Sequence, residues 1–293
     1  MAHSTTQATR PAAVHARRTF SRGLGSILVL VVSLAFLAAV LFPFLLAVFN
    51  AVKTGVDYSL HGPLAFPQSF DLGGLVAFWS EVDFTRKLAN SVIVSGCVAV
   101  GGVLLSLFSA YAIGIGRVRG GPILLFVIML SIMVPQESLV YPIYYASKAA
   151  GLYNSLVGVI IVFSVLQSAF GTYLLSSVLA TFPHEIIEAS QIDGANWWQI
   201  LWLVVVPVLR PILAVLATFF FIWTWNEFLI PLVLLVSNDN QTVSVAMGVL
   251  KGQYTSDPTR IAAASLLGMA PTVVFFLLFQ RTLTRGVVVG AVK

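Results

Sequence analysis

Long runs of apolar residues separated by short polar segments dominate the pattern of this chain. Six runs are long enough to cross a bilayer, because a helical span needs about 20 residues. Helices are the segments that satisfy all of their own backbone hydrogen bonds in lipid. The pattern therefore predicts six transmembrane helices, which occupy residues 27–49, 88–115, 122–145, 154–180, 205–236 and 260–281.

The composition supports an all-α polytopic membrane protein. Apolar residues make up 58% of the 293 residues and charged residues only 9%, whereas a soluble domain carries about 25% charged residues. The N-terminal segment is polar and basic, and the apolar run that follows it is too long for the core of a secretory signal. We therefore interpret residues 27–49 as the first span. The single cysteine excludes an internal disulfide.

The distribution of Lys and Arg predicts the orientation. When the N-terminus is placed inside, the cytoplasmic segments hold 10 of the 16 Lys and Arg residues. Positively charged residues keep loops on the cytoplasmic side. We therefore expect two cytoplasmic tails, at residues 1–26 and 282–293, flanking a membrane domain at 27–281. The net charge of +5 is explained by these membrane-edge residues without any nucleic acid.

The segment between the fourth and fifth spans, residues 181–207, has a pattern of its own. HEIIEASQID predicts a short polar helix, which Gly194 ends. Asn196 can cap a second helix, since Gln199 stands three positions later as in a capping box. Two short helices with a break between them predict a compact cytoplasmic protrusion that is entered from Pro183 and left at Pro207.

The sequence contains none of the common catalytic or nucleotide-binding motifs that we considered. The sequence contains no phosphate-binding G-x-x-x-x-G-K-[ST] loop, no H-E-x-x-H and no G-x-S-x-G. The four histidines are scattered without ligand spacing. We therefore predict no catalytic residue, no metal site and no cofactor in the chain. Energy for transport would have to come from a partner, although a membrane enzyme or a stand-alone channel stays a formal alternative.

The polar segment resembles a known motif. Glu188-Ala189-Ser190, two further residues, Asp193-Gly194-Ala195 and then Pro207 twelve residues later match the EAA loop of permease subunits in bacterial ABC importers. Ser190 replaces a common second Ala and Leu201 a common Phe. Neither change removes the glycine or the acids.

Further stretches resemble the same family, the smaller carbohydrate-uptake permease subunit of the maltose-permease type. They are ANSVIVS, YAIGIGRVRGG, MVPQESLVYPIYY, GLYNSLVGVII, WNEFLIPLVLL and QRTLTRGVVVGAVK. The resemblance implies a core like that of the methionine-importer permeases and a multi-pass protein of the bacterial cell membrane. It also implies partners: a second permease, two ATPase subunits that bind ATP and Mg²⁺, and an external sugar-binding protein.

The resemblance implies roles for particular residues. The EAA helices would sit in a groove of the ATPase, whose closure would move the spans between inward-facing and outward-facing states. Trp197, Trp198 and Trp202 are large side chains of the kind that anchor interfaces, although Trp197 and Trp198 could instead lie against lipid headgroups. The expected ATPase-coupling residues are Glu188, Ala189, Ser190, Asp193, Gly194, Ala195, Trp198, Leu201 and Pro207. The expected C-terminal ATPase contacts are Gly290, Ala291, Val292 and Lys293.

An acid within an apolar stretch marks a possible substrate path. Glu227 lies in WTWNEFLIP, and burying such a charge in lipid costs about 2.5–3.5 kcal/mol. The nearby aromatic rings and amide suit a sugar, but a structural acid near the end of a span is equally compatible. The same-fold alternative carries an amino acid, a peptide or a polyamine. The expected path residues are Trp223, Trp225, Asn226, Glu227 and Glu137.

Overall fold

The computed structural model describes residues 21–116, 118–253 and 257–291, and these form helices joined by turns. Two short 3₁₀ helices lie at Gln136–Leu139 and Asn238–Asn240, and a π-helical segment lies at Ile200–Val205. The α-helices of the described residues are α1 (Ser21–Ala51), α2 (Gly55–His61), α3 (Gly73–Glu81), α4 (Phe84–Gly114), α5 (Gly121–Ile132), α6 (Val140–Ala149), α7 (Leu156–Leu179), α8 (His184–Ile192), α9 (Trp197–Gln199), α10 (Val206–Asn226), α11 (Leu229–Leu234), α12 (Val243–Gln253) and α13 (Pro258–Ala291).

Five helical segments of the described residues are long and apolar enough to cross a membrane, and one bent pair of helices brings the number of spans to as many as six. The all-helical prediction is therefore confirmed, and the number of spans agrees with six when the bent pair counts as one. The five segments are Gly25–Ala51, Phe84–Gly114, Leu156–Leu179, Trp197–Asn226 and Pro258–Gln280.

The third span is not the continuous helix predicted for residues 122–145. Its two halves, Gly121–Ile132 and Gln136–Ala149, meet at an angle of 93°. Pro135 disfavours helical backbone at the residue before it, so the chain turns there. The first half has 12 residues and is about 18 Å long, which is shorter than the hydrocarbon core of about 30 Å.

The fifth span is shifted from the predicted range of 205–236. It begins at Trp197, because α9 continues through the π-helical segment into α10. It ends at Asn226, because Glu227 has extended backbone, with ψ at 133°. The wide π turn lies directly before Pro207, where an ordinary helix would lose a hydrogen bond. The predicted second short helix of the protrusion is thus the first turn of this span.

The core of the bundle lies between α4, α7 and α10, which approach closely at glycines. A Cβ on Gly102 would stand 2.8 Å from the Phe220 ring, and one on Gly171 would stand 2.1 Å from the Ser106 hydroxyl oxygen. Small residues allow such close helix contacts in membranes. Ser106 donates to the backbone oxygen of Gly102 at 2.6 Å and Ser168 at 3.2 Å. The interface is therefore tight, and the Ser106 hydroxyl within it has backbone partners on two helices.

Residues 237–243, which we call the anchored loop, are held by polar side chains from the N-terminal part of α4. The buried amine of Lys87 donates to the backbone oxygen of Asn238. The Asn90 amide donates to the backbone oxygens of Asp239 at 2.8 Å and Gln241 at 3.0 Å. The hydroxyl of Ser91 accepts from the backbone N–H of Val243 at 2.9 Å.

A second attachment of the anchored loop comes from the turn before α7. The side-chain oxygen of Asn154 accepts from the backbone N–H and the hydroxyl of Ser237, both at 3.0 Å. The backbone N–H of Asn154 donates to Leu234 at 2.9 Å. The loop after α11 is therefore joined to the N-terminal ends of two spans.

Candidate functional site

The predicted polar helix exists as α8, and a glycine ends it. Gly194 has φ at +84°, in the left-handed region. Its N–H donates to Gln191 at 3.0 Å and the N–H of Ala195 donates to Ser190 at 3.0 Å. These two bonds form a Schellman motif, in which glycine is favoured because it has no Cβ. No atom lies within 4 Å of a Cβ built at Gly194, so the requirement comes from the backbone and not from packing.

The turn after Gly194 starts the next helix with the predicted capping box. The Asn196 side chain accepts from the backbone N–H of Gln199 at 3.0 Å, and the Gln199 side chain accepts from the backbone N–H of Asn196 at 2.8 Å. Both bonds of the motif are present, so this prediction is confirmed. The two ends of the turn are each fixed by backbone hydrogen bonds.

The inner side of this region packs on α4. Phe182 and Ile187 are buried in the same apolar cluster as Ile200 and Leu201. The hydroxyl of Tyr111 donates to the backbone oxygen of Trp197 at 2.9 Å. The first turn of α9 is therefore bonded directly to the C-terminal part of α4.

The tryptophans continue this packing on α4 while remaining largely exposed. The Phe108 ring has edge contacts with Trp198 at 5.9 Å and with Trp202 at 6.4 Å, and the Tyr111 ring has one with Trp197 at 6.4 Å. The rings of Phe108, Tyr111, Trp197 and Trp198, together with Leu201, line an apolar cavity of about 220 Å³. Trp198 remains 64% exposed, so much of its surface is available to another protein or to lipid.

The predicted coupling residues fall into an outer group and an inner group. Glu188, Ala189, Asp193 and Gly194 are exposed, and so is Trp198. The inner members are Ser190, whose hydroxyl donates to Ile186 at 2.7 Å, the half-buried Ala195 and Pro207, and the buried Leu201. The structure thus places most of the motif on one exposed helix and its turn.

Three contributors to this region were missed in the sequence. Ile192 lies on α8 next to the turn and is 86% exposed. Its side chain adds to the exposed apolar surface of this region, which also includes Trp197 and Trp198. Phe108 and Tyr111 were missed because their role depends on the folding of α4 against α9. Among the sequence signals, the tyrosine hydroxyl within an apolar span could have pointed to a buried partner.

The predicted C-terminal contacts lie at the end of the chain. Gly290 and Ala291 belong to the last turn of α13. Val292 and Lys293 lie outside the described residues. Helix α13 continues past residue 281, so residues 282–291 extend it.

The predicted path residues near the end of α10 do not form one group. Trp225 is 4% exposed and lies 4.9 Å from the Phe275 ring, so it belongs to the core. Trp223 is 43% exposed and contacts Phe170 at 5.2 Å. Asn226 is exposed, and its amide donates to Ile222 within the same helix at 2.8 Å.

Glu137 and Glu227 are brought together by two helix breaks. Glu137 is exposed on the 3₁₀ helix after the break of the third span. Glu227 is half-buried at the break between α10 and α11. Val140 of α6 packs against the apolar cluster that contains Ile230 of α11, so the helices that follow the two breaks are neighbours. Among the described residues, no cluster of three or more acidic, His or Cys side chains could hold a metal ion.

The sequence model of one family spans most of these elements. It is described as "Binding-protein-dependent transport system inner membrane component" and matches residues 102–289. The chain belongs to this family. It is therefore a component of a transport system in the membrane, and we refer to it below as the permease.

Curated relatives resemble the permease over most of its length. It is 28% identical over 254 residues to the lactose transport system permease protein LacG of Rhizobium radiobacter, covering 86% of this chain and 91% of the relative. It is 31% identical over 212 residues to the trehalose transport system permease protein SugB of Mycobacterium tuberculosis, covering 72% and 77%. It is 32% identical over 213 residues to the sn-glycerol-3-phosphate transport system permease protein UgpE of Yersinia pestis, covering 71% and 74%.

A solved structure shares the fold of the permease. It is a chain of a bacterial ABC transporter involved in the import of the acidic polysaccharide alginate. The TM-score is 0.76, the identity is 20%, and the match covers 92% of this chain and 99% of that chain. At this identity the match concerns the fold alone.

Proposed function

We propose that the permease is the smaller transmembrane subunit of an ATP-driven sugar importer. It forms the translocation path with a second permease, and a binding protein outside the membrane delivers the sugar. Two ATPase subunits that bind ATP and Mg²⁺ supply the energy from the cytoplasm. Family membership and the sugar-transport names of relatives such as LacG and SugB support this proposal.

The observation that carries the proposal is the asymmetry of α8 and the turn after it. One side of the helix is anchored in the core through Ile187, while Glu188, Asp193 and Ile192 project outwards. An exposed helix that is held at both ends suits a protein that transmits the motion of a docked partner to its spans. We infer that α8 and the Gly194 turn dock into the ATPase, and that α9 passes the motion to α10 in the same helix.

The orientation of the permease follows from its charges. We propose that both termini and α8 are cytoplasmic, since this arrangement places 10 of 16 Lys and Arg residues inside. The proposal puts α8 on the side where ATP is available. It also puts the anchored loop, at the other end of α4, outside the cell.

The contacts expected of the C-terminal residues remain part of the proposal. Gly290 and Ala291 end a helix of 34 residues, which is about 51 Å long and so reaches well beyond the hydrocarbon core. A helix of this length, with its end on the cytoplasmic side, can bring the C-terminal residues close to an ATPase.

The nature of the solute rests on the relatives and on the path residues. Glu137 and Glu227 supply acceptors for sugar hydroxyl groups, and Trp223 and Asn226 lie close to Glu227 in the chain. The relative UgpE is named for the transport of sn-glycerol-3-phosphate, which is not a sugar. A small anionic polyol is therefore the second candidate for the transported solute.

Purification of the tagged permease in mild detergent tests the assembly. We expect mass spectrometry to find a second permease of six to eight spans and an ATPase with a phosphate-binding loop. Uptake of radiolabelled sugars by cells that express the full system then tests the solute. Recovery of the permease alone, as a stable homo-oligomer, would contradict the proposal.

A further inference from the structure

A row of polar side chains follows the break in the third span. Glu137 lies in the 3₁₀ helix, and Tyr141 and Tyr145 follow in α6 at intervals of four residues. Tyr141 and Tyr145 both lie in α6, where residues four apart share a face, and the centroids of their rings are 5.2 Å apart; Glu137 precedes them in the chain. We call these three residues the tyrosine stripe.

The rings of the tyrosine stripe remain available for a further contact. Tyr141 is 72% exposed and Tyr145 is 56% exposed. The neighbouring Tyr144 ring is used within the permease, since it contacts Tyr153 at 5.3 Å and lies 4.7 Å from the Lys148 amine. The stripe therefore ends near an amine and begins at a carboxylate.

The membrane restricts what the tyrosine stripe can face. Residues 136–149 are the second half of a broken span. A carboxylate exposed to lipid at such a position is costly, so acids in spans face a water-filled cavity or protein. Helices α6 and α11, which follow the breaks at Glu137 and Glu227, share one apolar cluster. The breaks in the third span and after α10 thus place Glu137 and Glu227 in the same region of the permease.

We propose that the tyrosine stripe is a subsite for a neutral sugar ring. The proposal rests on the importer function proposed above and assigns a new part of its path. Tyrosine faces suit the C–H side of a sugar, and Glu137 and the tyrosine hydroxyls can bond its hydroxyl groups. The amine of Lys148 lies over the Tyr144 and Tyr153 rings, whereas Glu137 presents an exposed carboxylate, so an anionic ring is disfavoured relative to a neutral one.

Transport by the complete complex in liposomes tests this subsite. The complex contains both permeases, the ATPase and the binding protein, and the probes are radiolabelled lactose, melibiose and trehalose. Tyr141→Ala and Tyr145→Ala should each lower the rate of transport at a subsaturating sugar concentration by roughly tenfold, which corresponds to the loss of one aromatic contact of about 1.4 kcal/mol. Phe at either position keeps the ring and should retain most of the transport.

Matched variants distinguish a sugar subsite from a contact between subunits. Tyr173, a 40% exposed tyrosine on α7, provides the control, and Tyr173→Ala should transport like the wild type. If the wild type carries a probe and both stripe variants carry it equally well, the subsite is refuted while the importer function stands. If Tyr141→Ala instead releases the second permease during purification, the stripe is a subunit interface and the subsite is refuted as well. A complex that carries an amino acid and none of the neutral sugars overturns the proposed function and the subsite together.

Discussion

Substitution of Gly194 can separate the folding role of the turn from its proposed docking role. At φ of +84°, a residue with a Cβ is strained by about 1–2 kcal/mol. Nothing lies within 4 Å of the added Cβ, so no packing cost is added. Asn and Asp tolerate the left-handed region better than other residues. We expect the stability loss to increase from Asn and Asp through Ala to Val, with Asn and Asp within about 1 kcal/mol of glycine.

The function of the same variants should follow a different order. Gly194→Asp adds a carboxylate beside Asp193 on the exposed side of the turn, where the ATPase is proposed to dock. We expect it to abolish uptake and to weaken recovery of the ATPase with the tagged permease, although the protein still inserts in the membrane. Gly194→Asn has nearly the same shape without the charge and should keep a substantial part of the uptake.

The measurements are thermal unfolding in detergent, co-purification of the ATPase and sugar uptake. Gly151 provides the control, since it has φ of +68° and open space around its Cβ position in the turn before α7. Gly151→Asp should keep the ATPase bound. Wild-type uptake by Gly194→Asp would refute the docking proposal. A Gly194→Asn variant as unstable as Gly194→Val would refute the backbone argument.

Three further predictions concern the contacts of α4. Tyr111→Phe removes the hydrogen bond to the start of α9 and should cost about 0.5–1.5 kcal/mol of stability, while ATP hydrolysis becomes less tightly coupled to uptake in reconstituted complexes. Asn90→Ala removes two hydrogen bonds to the anchored loop, should cost about 1–3 kcal/mol, and should make the loop more sensitive to limited proteolysis. Gly171→Ala should lower the unfolding temperature, because overpacking costs about 1–3 kcal/mol. Adding Ser106→Gly to that variant should restore the unfolding temperature. Gly96→Ala is the control and should have little effect, because the added methyl group meets no atom within 4 Å.

The local features of the polar segment were predictable because neighbouring residues in the chain determine them. The capping box needs only Asn196 and Gln199 at the right spacing, and the end of α8 needs only Gly194. The spans were equally visible, since about 20 apolar residues in a row have few alternatives. The docking role of these residues stays a prediction, since it depends on a partner.

The features that were not predicted depend on contacts between distant residues or on backbone breaks within apolar runs. A hydropathy average over residues 122–145 does not register the turn at Pro135, because the strongly apolar residues before the proline outweigh the polar Gln136, Glu137 and Ser138 after it. The interruption at Glu227 was hidden in the same way. Burial of Trp225, and of Lys87 beneath the anchored loop, depends on residues far away in the chain, so no local pattern indicates it.

The anchored loop illustrates how a surface can change while its support does not. Lys87 and Asn90 bond only its backbone oxygens, and every residue type supplies such an oxygen. The side chains of residues 238, 239 and 241 can therefore be exchanged without loss of these attachments. Point substitutions at these positions can therefore change the surface that the loop presents to a partner, while its attachment to the spans is kept.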